Sequence, residues 1–117
     1  MKLPNGDQAY ISPAKLKDYL LSETHPIGRS KARFLRGVGF DETNVDLLEQ
    51  RLLAIAANAE ITEVVTTAYG KKYVVDGPLE TPMSGQVAMR TVWIVEADEE
   101  NPRFVTAYPA SDGGEEE

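Results

Sequence analysis

The chain has 117 residues, a size that one domain usually has. Its 42% hydrophobic and 26% charged residues are typical of a globular protein and exclude a disordered or collagen-like chain. It contains no cysteine and one histidine, which excludes a disulfide framework and the usual zinc sites. No apolar run approaches the length of a membrane span, and the N-terminal residues lack a signal-peptide core. We therefore expect a cytoplasmic protein that enters no membrane and needs no metal or other cofactor.

Charge is unevenly distributed along the chain. The formal net charge is -7, from 12 basic and 19 acidic residues. The segment 15–36 nevertheless holds six basic and two acidic residues, whereas 37–117 holds five basic and 16 acidic ones. A basic patch therefore lies on an acidic body. Such a patch suits an anionic partner or substrate, although most charged runs are simply solvated faces.

The first half of the sequence predicts helices, because apolar residues recur there at three- and four-residue spacing. Ser12 and Pro13 provide the N-cap and the first-turn proline of one helix. The predicted helices span 13 to about 21, 29–38, and a stretch from Thr43 or Asn44 whose buried stripe is Val45, Leu48, Leu52, Ile55 and Ala59. The stretch 9–11, ahead of them, predicts a short edge strand.

After residue 60 the apolar pattern changes from helical to alternating, which predicts strands at 62–68, 71–76, 86–96 and 103–108. Gly77-Pro78 and the stretch 81–85 are predicted as turns or a loop. The strand at 86–96 is apolar on both faces, which is typical of a central strand. The sequence therefore predicts an α+β fold, with two or three N-terminal helices packed on a four-stranded, mainly antiparallel β-meander. We expect this domain to span 1–110 and a flexible acidic tail to follow at 111–117.

The segment 25–34 holds the most unusual set of side chains. His25, before a proline, is the only side chain suited to gain and lose a proton at neutral pH, so it is our candidate general acid or base. Lys31 falls on the apolar side of the second helix, and Arg29, Arg33 and Arg36 form a ridge on the opposite side. These cations are candidates for stabilising the charge of a phosphate. The alternative is that His25 only caps its loop, that Lys31 extends past its apolar neighbours to water, and that the arginines are solvated.

The predicted sheet adds three candidates. Arg90 interrupts an otherwise apolar strand face. The alternative role of Arg90 is structural, as the partner of an acidic residue in an ion pair. Thr106 and Tyr108 share one face of the last strand, so their hydroxyls point into one concavity. The predicted catalytic residues are His25, Lys31, Arg90 and Thr106, and the predicted substrate-binding residues are Arg29, Arg33, Arg36 and Tyr108. The acidic run 98–100 is interpreted as a solvated hairpin tip, and no metal ligand is predicted.

Several separated motifs occur in the order found in a bacterial family known as domain of unknown function 6883, which the chain resembles from about Leu3 to Pro109. The motifs are Lys15-Leu16-Lys17-Asp18-Tyr19-Leu20-Leu21, His25-Pro26-x-Gly28-x-x-Lys31-Ala32-x-Phe34, Gly39-Phe40, Tyr69-Gly70-x-Lys72-Tyr73, Gly77-Pro78-Leu79, Arg90-Thr91-Val92-Trp93 and Thr106-Ala107-Tyr108-Pro109. The order of helices and strands is also similar, more remotely, to that of the small metal-free ribonuclease toxins grouped with barnase, colicin and RelE-type nucleases. The second resemblance implies a toxin-like domain that acts on RNA phosphodiesters and has an antitoxin-like or immunity-like protein partner.

Two functions remain open on the sequence. The first is a metal-independent ribonuclease; the second is a non-catalytic module that binds a protein, such as the product of a neighbouring gene. The first requires His25, Lys31, Arg90 and Thr106 to converge around one concavity. The second is favoured if Lys31 and Arg90 lie on opposite sides of the sheet, or if each is buried in its own carboxylate pair.

Overall fold

The computed structural model of the chain describes residues 1–22, 24, 25 and 29–110. Short 3-10 turns lie at Gly6–Gln8 and Glu42–Asn44. The helices are α1 (Pro13–Lys15), which continues as a π-helical turn (Leu16–Leu20), α2 (Arg29–Gly37) and α3 (Val45–Asn58). The strands are β1 (Ile61–Thr67), β2 (Gly70–Thr81), β3 (Gly85–Glu96) and β4 (Arg103–Pro109). The predicted acidic tail, 111–117, lies outside the described residues.

The four strands form one sheet in the order β1-β2-β3-β4, and each neighbouring pair is antiparallel. The α+β prediction, with helices ahead of an antiparallel meander, is therefore confirmed. The predicted edge strand at 9–11 is reduced to one parallel bridge between Tyr10 and Arg103, along the outer edge of β4. Among the described helices none is long and apolar enough to cross a lipid bilayer.

The core lies between α3 and one face of the sheet. Leu48, Leu52 and Ile55 of α3 are buried in the same cluster as Val75 and Trp93 of the sheet. These leucines and the isoleucine recur at three- and four-residue spacing, so one side of the helix is apolar, as predicted. The ring of Trp93 also packs edge-to-face on that of Phe104, with 5.3 Å between ring centres.

Among the residues that the structure describes, Thr91 is a polar side chain that is fully buried in this core. Thr91 donates a hydrogen bond from Oγ1 to the carbonyl of Val75 at 2.7 Å and accepts one from Nε1 of Trp93 at 2.8 Å. The threonine thereby satisfies the indole N–H of Trp93, a large and fully buried core residue. Thr91 fixes the orientation of the Trp93 ring.

The prediction of a turn at Gly77-Pro78 is wrong, because both residues lie inside β2, opposite Met89 and Ala88 of β3. Pairing with β1 ends at Val75, so this part of β2 is a sheet edge, where proline is tolerated. A Cβ on Gly77 would lie 3.0 Å from Cβ of Ala59 and 3.1 Å from Cγ2 of Ile55. The glycine therefore marks close packing of α3 on the strand.

The sheet has a second face, opposite the one that α3 covers. Because side chains alternate along a strand, this face is formed by the residues that alternate with the buried Val75, Thr91 and Ala107. Cross-strand pairing places three of them in one row: Asp76 of β2, Arg90 of β3 and Tyr108 of β4. Thr106 lies one row further along, opposite Val92. We call this surface the second face.

Candidate functional site

The ring of Tyr19 lies at the centre of a cluster of polar side chains beside the second face. Tyr19 belongs to the π-helical turn, which is anchored in the core by the buried Leu16 and Leu20. Its hydroxyl lies 2.9 Å from Oγ1 of Thr106. The imidazole of His25 packs edge-to-face on its ring, with 5.1 Å between ring centres. Tyr19 therefore connects the loop that carries His25 to the last strand.

Two lysines approach the same ring. Nζ of Lys15 lies 4.6 Å from the ring centre of Tyr19 and donates a hydrogen bond to the carbonyl of Val105 at 3.0 Å. Nζ of Lys31 lies 5.6 Å from the ring centre of Tyr19 and 5.9 Å from that of Tyr108. Within the described ranges no carboxylate pairs with Lys31. Lys31 thus lies near two aromatic rings, and its ammonium is not paired with any acid among the residues that the structure describes.

Arg90 is held by a carboxylate on the neighbouring strand. Its Nε and Nη2 donate hydrogen bonds to Oδ1 and Oδ2 of Asp76 at 2.9 and 2.8 Å, a bidentate pair. The hydrogen bonds and charge of Asp76 raise the pKa of the Arg90 guanidinium, and Tyr108 adds to this effect, whereas partial desolvation opposes it. The Arg90 side chain is 42% exposed, and Nη1 is not used by the pair. The guanidinium is therefore permanently charged, fixed in orientation and accessible.

The structure brings His25, Lys31, Arg90, Thr106 and Tyr108 to one side of the sheet. His25 packs on the ring of Tyr19, and the hydroxyl of Tyr19 contacts Thr106. Lys31 lies near the ring of Tyr108, which is paired opposite Arg90 on the neighbouring strand. Lys31 and Arg90 therefore do not lie on opposite sides. The predicted alternative for Arg90, a pair with an acid, is observed, but the pair is not buried.

The three arginines of α2 lie in different surroundings. Arg29 and Arg33 are exposed, and in the described part of the chain no ion pair involves them. Arg36 donates to the carbonyl of Leu21 from Nε at 3.2 Å and from Nη2 at 2.7 Å, and it forms an ion pair with Glu42. Because its guanidinium holds two loops together, we leave Arg36 out of the site.

The sequence did not indicate three members of the cluster. The sequence predicts Tyr19 within a regular helix at 13 to about 21, whereas the residue lies in a π-helical turn and is only half-buried. Lys15, four residues earlier, contacts the same ring, and this spacing is the one signal that the sequence held. Asp76 ends the predicted strand 71–76, and the sequence does not predict its place opposite Arg90. No group of three His, Cys, Asp or Glu residues that could hold a metal ion occurs in the ranges that the structure describes.

Comparison with known proteins identifies a family model that matches nearly the whole chain. The model of the family DUF6883, described as a domain of unknown function, matches residues 2–111. The chain therefore belongs to this family.

The fold is also similar to a chain in a solved structure, the contact-dependent growth inhibition toxin–immunity protein complex from Klebsiella pneumoniae 342. The two share 19% sequence identity at a TM-score of 0.69, over 92% of this chain and 97% of that chain. At this identity the likeness shows a shared fold. A comparison with curated proteins gives no match.

Proposed function

We propose that the chain is a metal-independent, toxin-like ribonuclease domain that binds and cleaves an RNA phosphodiester on the second face. One observation carries the proposal: three separate parts of the chain meet around Tyr19 and Tyr108. His25 and Lys31 of the segment 25–34 lie near these rings, Thr106 of β4 contacts the Tyr19 hydroxyl, and Arg90 of β3 is paired opposite Tyr108. Convergence of a proton-transfer group with cations is the arrangement that phosphodiester chemistry needs.

The local charge of the cluster supports an anionic ligand. Lys15, Lys31 and Arg90 contribute three cations, and Asp76 contributes one carboxylate. The whole chain has a net charge of -7, so its long-range field does not attract nucleic acid. Recognition of RNA would therefore depend on these few side chains, and replacing any one of them should have a large effect.

The proposed reaction uses the ribose 2′-hydroxyl as nucleophile. His25 accepts the proton of this hydroxyl while its oxygen attacks phosphorus. The bond from phosphorus to the 5′ oxygen breaks and water supplies the proton to that oxygen. The hydroxide that remains takes the proton held by His25, which returns the imidazole to its starting form. The products are a 2′,3′-cyclic phosphate and a free 5′-hydroxyl. Lys31 and Arg90 stabilise the additional negative charge on the phosphoryl oxygens. Thr106, whose hydroxyl is hydrogen-bonded to that of Tyr19, donates a hydrogen bond to one of these oxygens.

The test is cleavage of labelled mixed RNA in the presence of EDTA. We expect the natural sequence to cleave, His25→Ala to lose about 100-fold or more in rate, and Lys31→Met to lose activity as well. Lys71→Met is the matched control, since Lys71 is exposed and lies about 17 Å along β2 from Asp76. Loss of cleavage in EDTA, or equal cleavage by the natural sequence and His25→Ala, would contradict the mechanism.

A second candidate function is a non-catalytic module that binds a protein partner. The observation in its favour is the fold shared with a chain of a toxin–immunity protein complex. In this case the acidic surface of the chain binds the partner, and His25, Lys31 and Arg90 have structural roles.

Co-purification from the native host separates the two functions. If a stoichiometric partner co-purifies and the isolated chain cleaves no RNA, the result favours the non-catalytic module. A partner that suppresses the RNA cleavage of the isolated chain favours the ribonuclease.

A further inference from the structure

Tyr108 differs in its neighbours from the other exposed tyrosines of the described chain. It is 37% exposed and lies directly opposite Arg90, and Nζ of Lys31 is 5.9 Å from its ring centre. Tyr10 and Tyr69 are also exposed, yet no cation of the described residues lies over either ring. Tyr108 therefore combines an accessible aromatic surface with two cations at its border.

An accessible aromatic ring bordered by cations is the combination with which proteins bind single-stranded nucleic acid. Unpaired bases stack on aromatic side chains, and lysine and arginine hold the adjacent phosphates. Bases in a duplex stack on one another and present no free face to such a ring. The form of RNA that fits Tyr108 is therefore an unpaired nucleotide.

The two cations beside Tyr108 differ in freedom. The bidentate pair with Asp76 fixes the Arg90 guanidinium beside the ring. Lys31 lies near the outer limit of a cation–π contact, and its long stem allows the ammonium to turn from the ring to a phosphate. This movement would uncover the ring face for a base.

We infer that the substrate class of the site is single-stranded RNA, with one base stacked on Tyr108 and its phosphate between Lys31 and Arg90. The inference rests on the proposed function and adds to it the form of RNA that is bound and the residue that selects this form.

The experiment measures binding by fluorescence anisotropy with a 2′-O-methyl RNA of about 12 nucleotides, which the 2′-hydroxyl mechanism cannot cleave. The same strand is compared alone and annealed to its complement. We expect the single strand to bind about 10-fold or more tightly than the duplex, and Tyr108→Leu to lose about 10-fold in affinity for the single strand. Tyr108→Phe keeps the ring and should bind within about twofold of the natural sequence.

Tyr69→Leu is the matched control, because Tyr69 is exposed in the turn between β1 and β2 and should not affect affinity. Equal affinity for single-stranded and duplex RNA, or an unchanged affinity of Tyr108→Leu, would overturn the inference. In that case RNA cleavage by the natural sequence would still support the proposed function. Absence of both RNA binding and RNA cleavage would overturn both.

Discussion

The hydroxyl of Tyr19 lies 2.9 Å from Oγ1 of Thr106, which joins the N-terminal helical segment to the last strand across 87 residues of sequence. The same ring contacts His25, Lys15 and Lys31. The ring and the hydroxyl of Tyr19 therefore have separate roles. The ring positions the cations and the imidazole, and the hydroxyl positions Thr106.

Replacing Tyr19 tests this separation. Tyr19→Phe removes the hydroxyl and one partly buried hydrogen bond, so it should reduce the free energy of unfolding by about 1 kcal/mol. Its RNA affinity should stay within about threefold of the natural sequence, because the cation–π contacts remain. Tyr19→Leu removes the ring, and we expect RNA affinity to fall about 10-fold or more. Urea unfolding and anisotropy measure the two effects. Equal RNA affinities for the two variants would contradict a role of the ring.

Thr91→Val tests the buried hydrogen bonds of the core. The change keeps the shape of the side chain but leaves Nε1 of Trp93 without its acceptor, so we expect a loss of about 1–3 kcal/mol in the free energy of unfolding. Thr62→Val is the matched control, because Thr62 is exposed and its hydrogen bond to the Val74 carbonyl is long, at 3.3 Å. Its effect should be below about 0.5 kcal/mol. Similar losses in both variants, measured by urea unfolding, would contradict the account.

The sequence predicted the order and type of elements because the apolar spacing changes clearly near residue 60. It did not predict the length of β2, since proline and glycine together usually indicate a turn. The strand passes through Gly77 and Pro78 because it is unpaired on one side there and α3 packs closely on the glycine. The candidate site was only partly predictable. Lys31 can be predicted from the sequence because it departs from the apolar pattern of its own helix. Asp76 and Tyr19 reach the site through contacts between distant elements, which a local sequence pattern does not reveal.

Gly77→Ala tests the contact between β2 and α3. The new Cβ would lie 3.0 Å from Cβ of Ala59 and 3.1 Å from Cγ2 of Ile55, closer than ordinary contact, so these neighbours must move by a few tenths of an ångström, and we expect a loss of about 1–3 kcal/mol in the free energy of unfolding. Gly37→Ala is the control, since no atom outside its chain neighbours and its own helix backbone lies within 4 Å of the added Cβ, and the residue is the last of α2. This variant should be neutral or more stable by about 0.4–1 kcal/mol. A Gly77→Ala protein as stable as the natural sequence in thermal unfolding would contradict the close packing.

The ion pair between Arg36 and Glu42 predicts a pH dependence of stability. Hydrogen bonding to Arg36 lowers the pKa of the Glu42 carboxyl below its ordinary value. A lowered pKa in the folded state stabilises the protein above the unfolded pKa, about 4.3, and this contribution is lost as pH falls through the folded value. The Tm difference between the natural sequence and Glu42→Gln should therefore be largest near neutral pH and shrink in acid.

The Arg36→Gln variant tests whether Arg36 is the source of this pH dependence. In an Arg36→Gln background the Glu42→Gln change should have little effect on Tm at any pH, because the hydrogen-bond donor is gone. A Glu42→Gln effect of the same size in both backgrounds would show that Arg36 is not its cause.

The claim that His25, Lys31, Arg90, Thr106 and Tyr108 form one anion-binding site is tested most directly by mapping a bound oligonucleotide on the protein. Amide and side-chain NMR shifts are followed while a 2′-O-methyl single-stranded RNA is added. We expect the signals of the five residues to shift together with one apparent dissociation constant, while the signals of Lys71 and of the exposed strand β1 stay unchanged. Shifts confined to the β1 edge or the 97–102 turn, or different dissociation constants for Lys31 and Arg90, would contradict it.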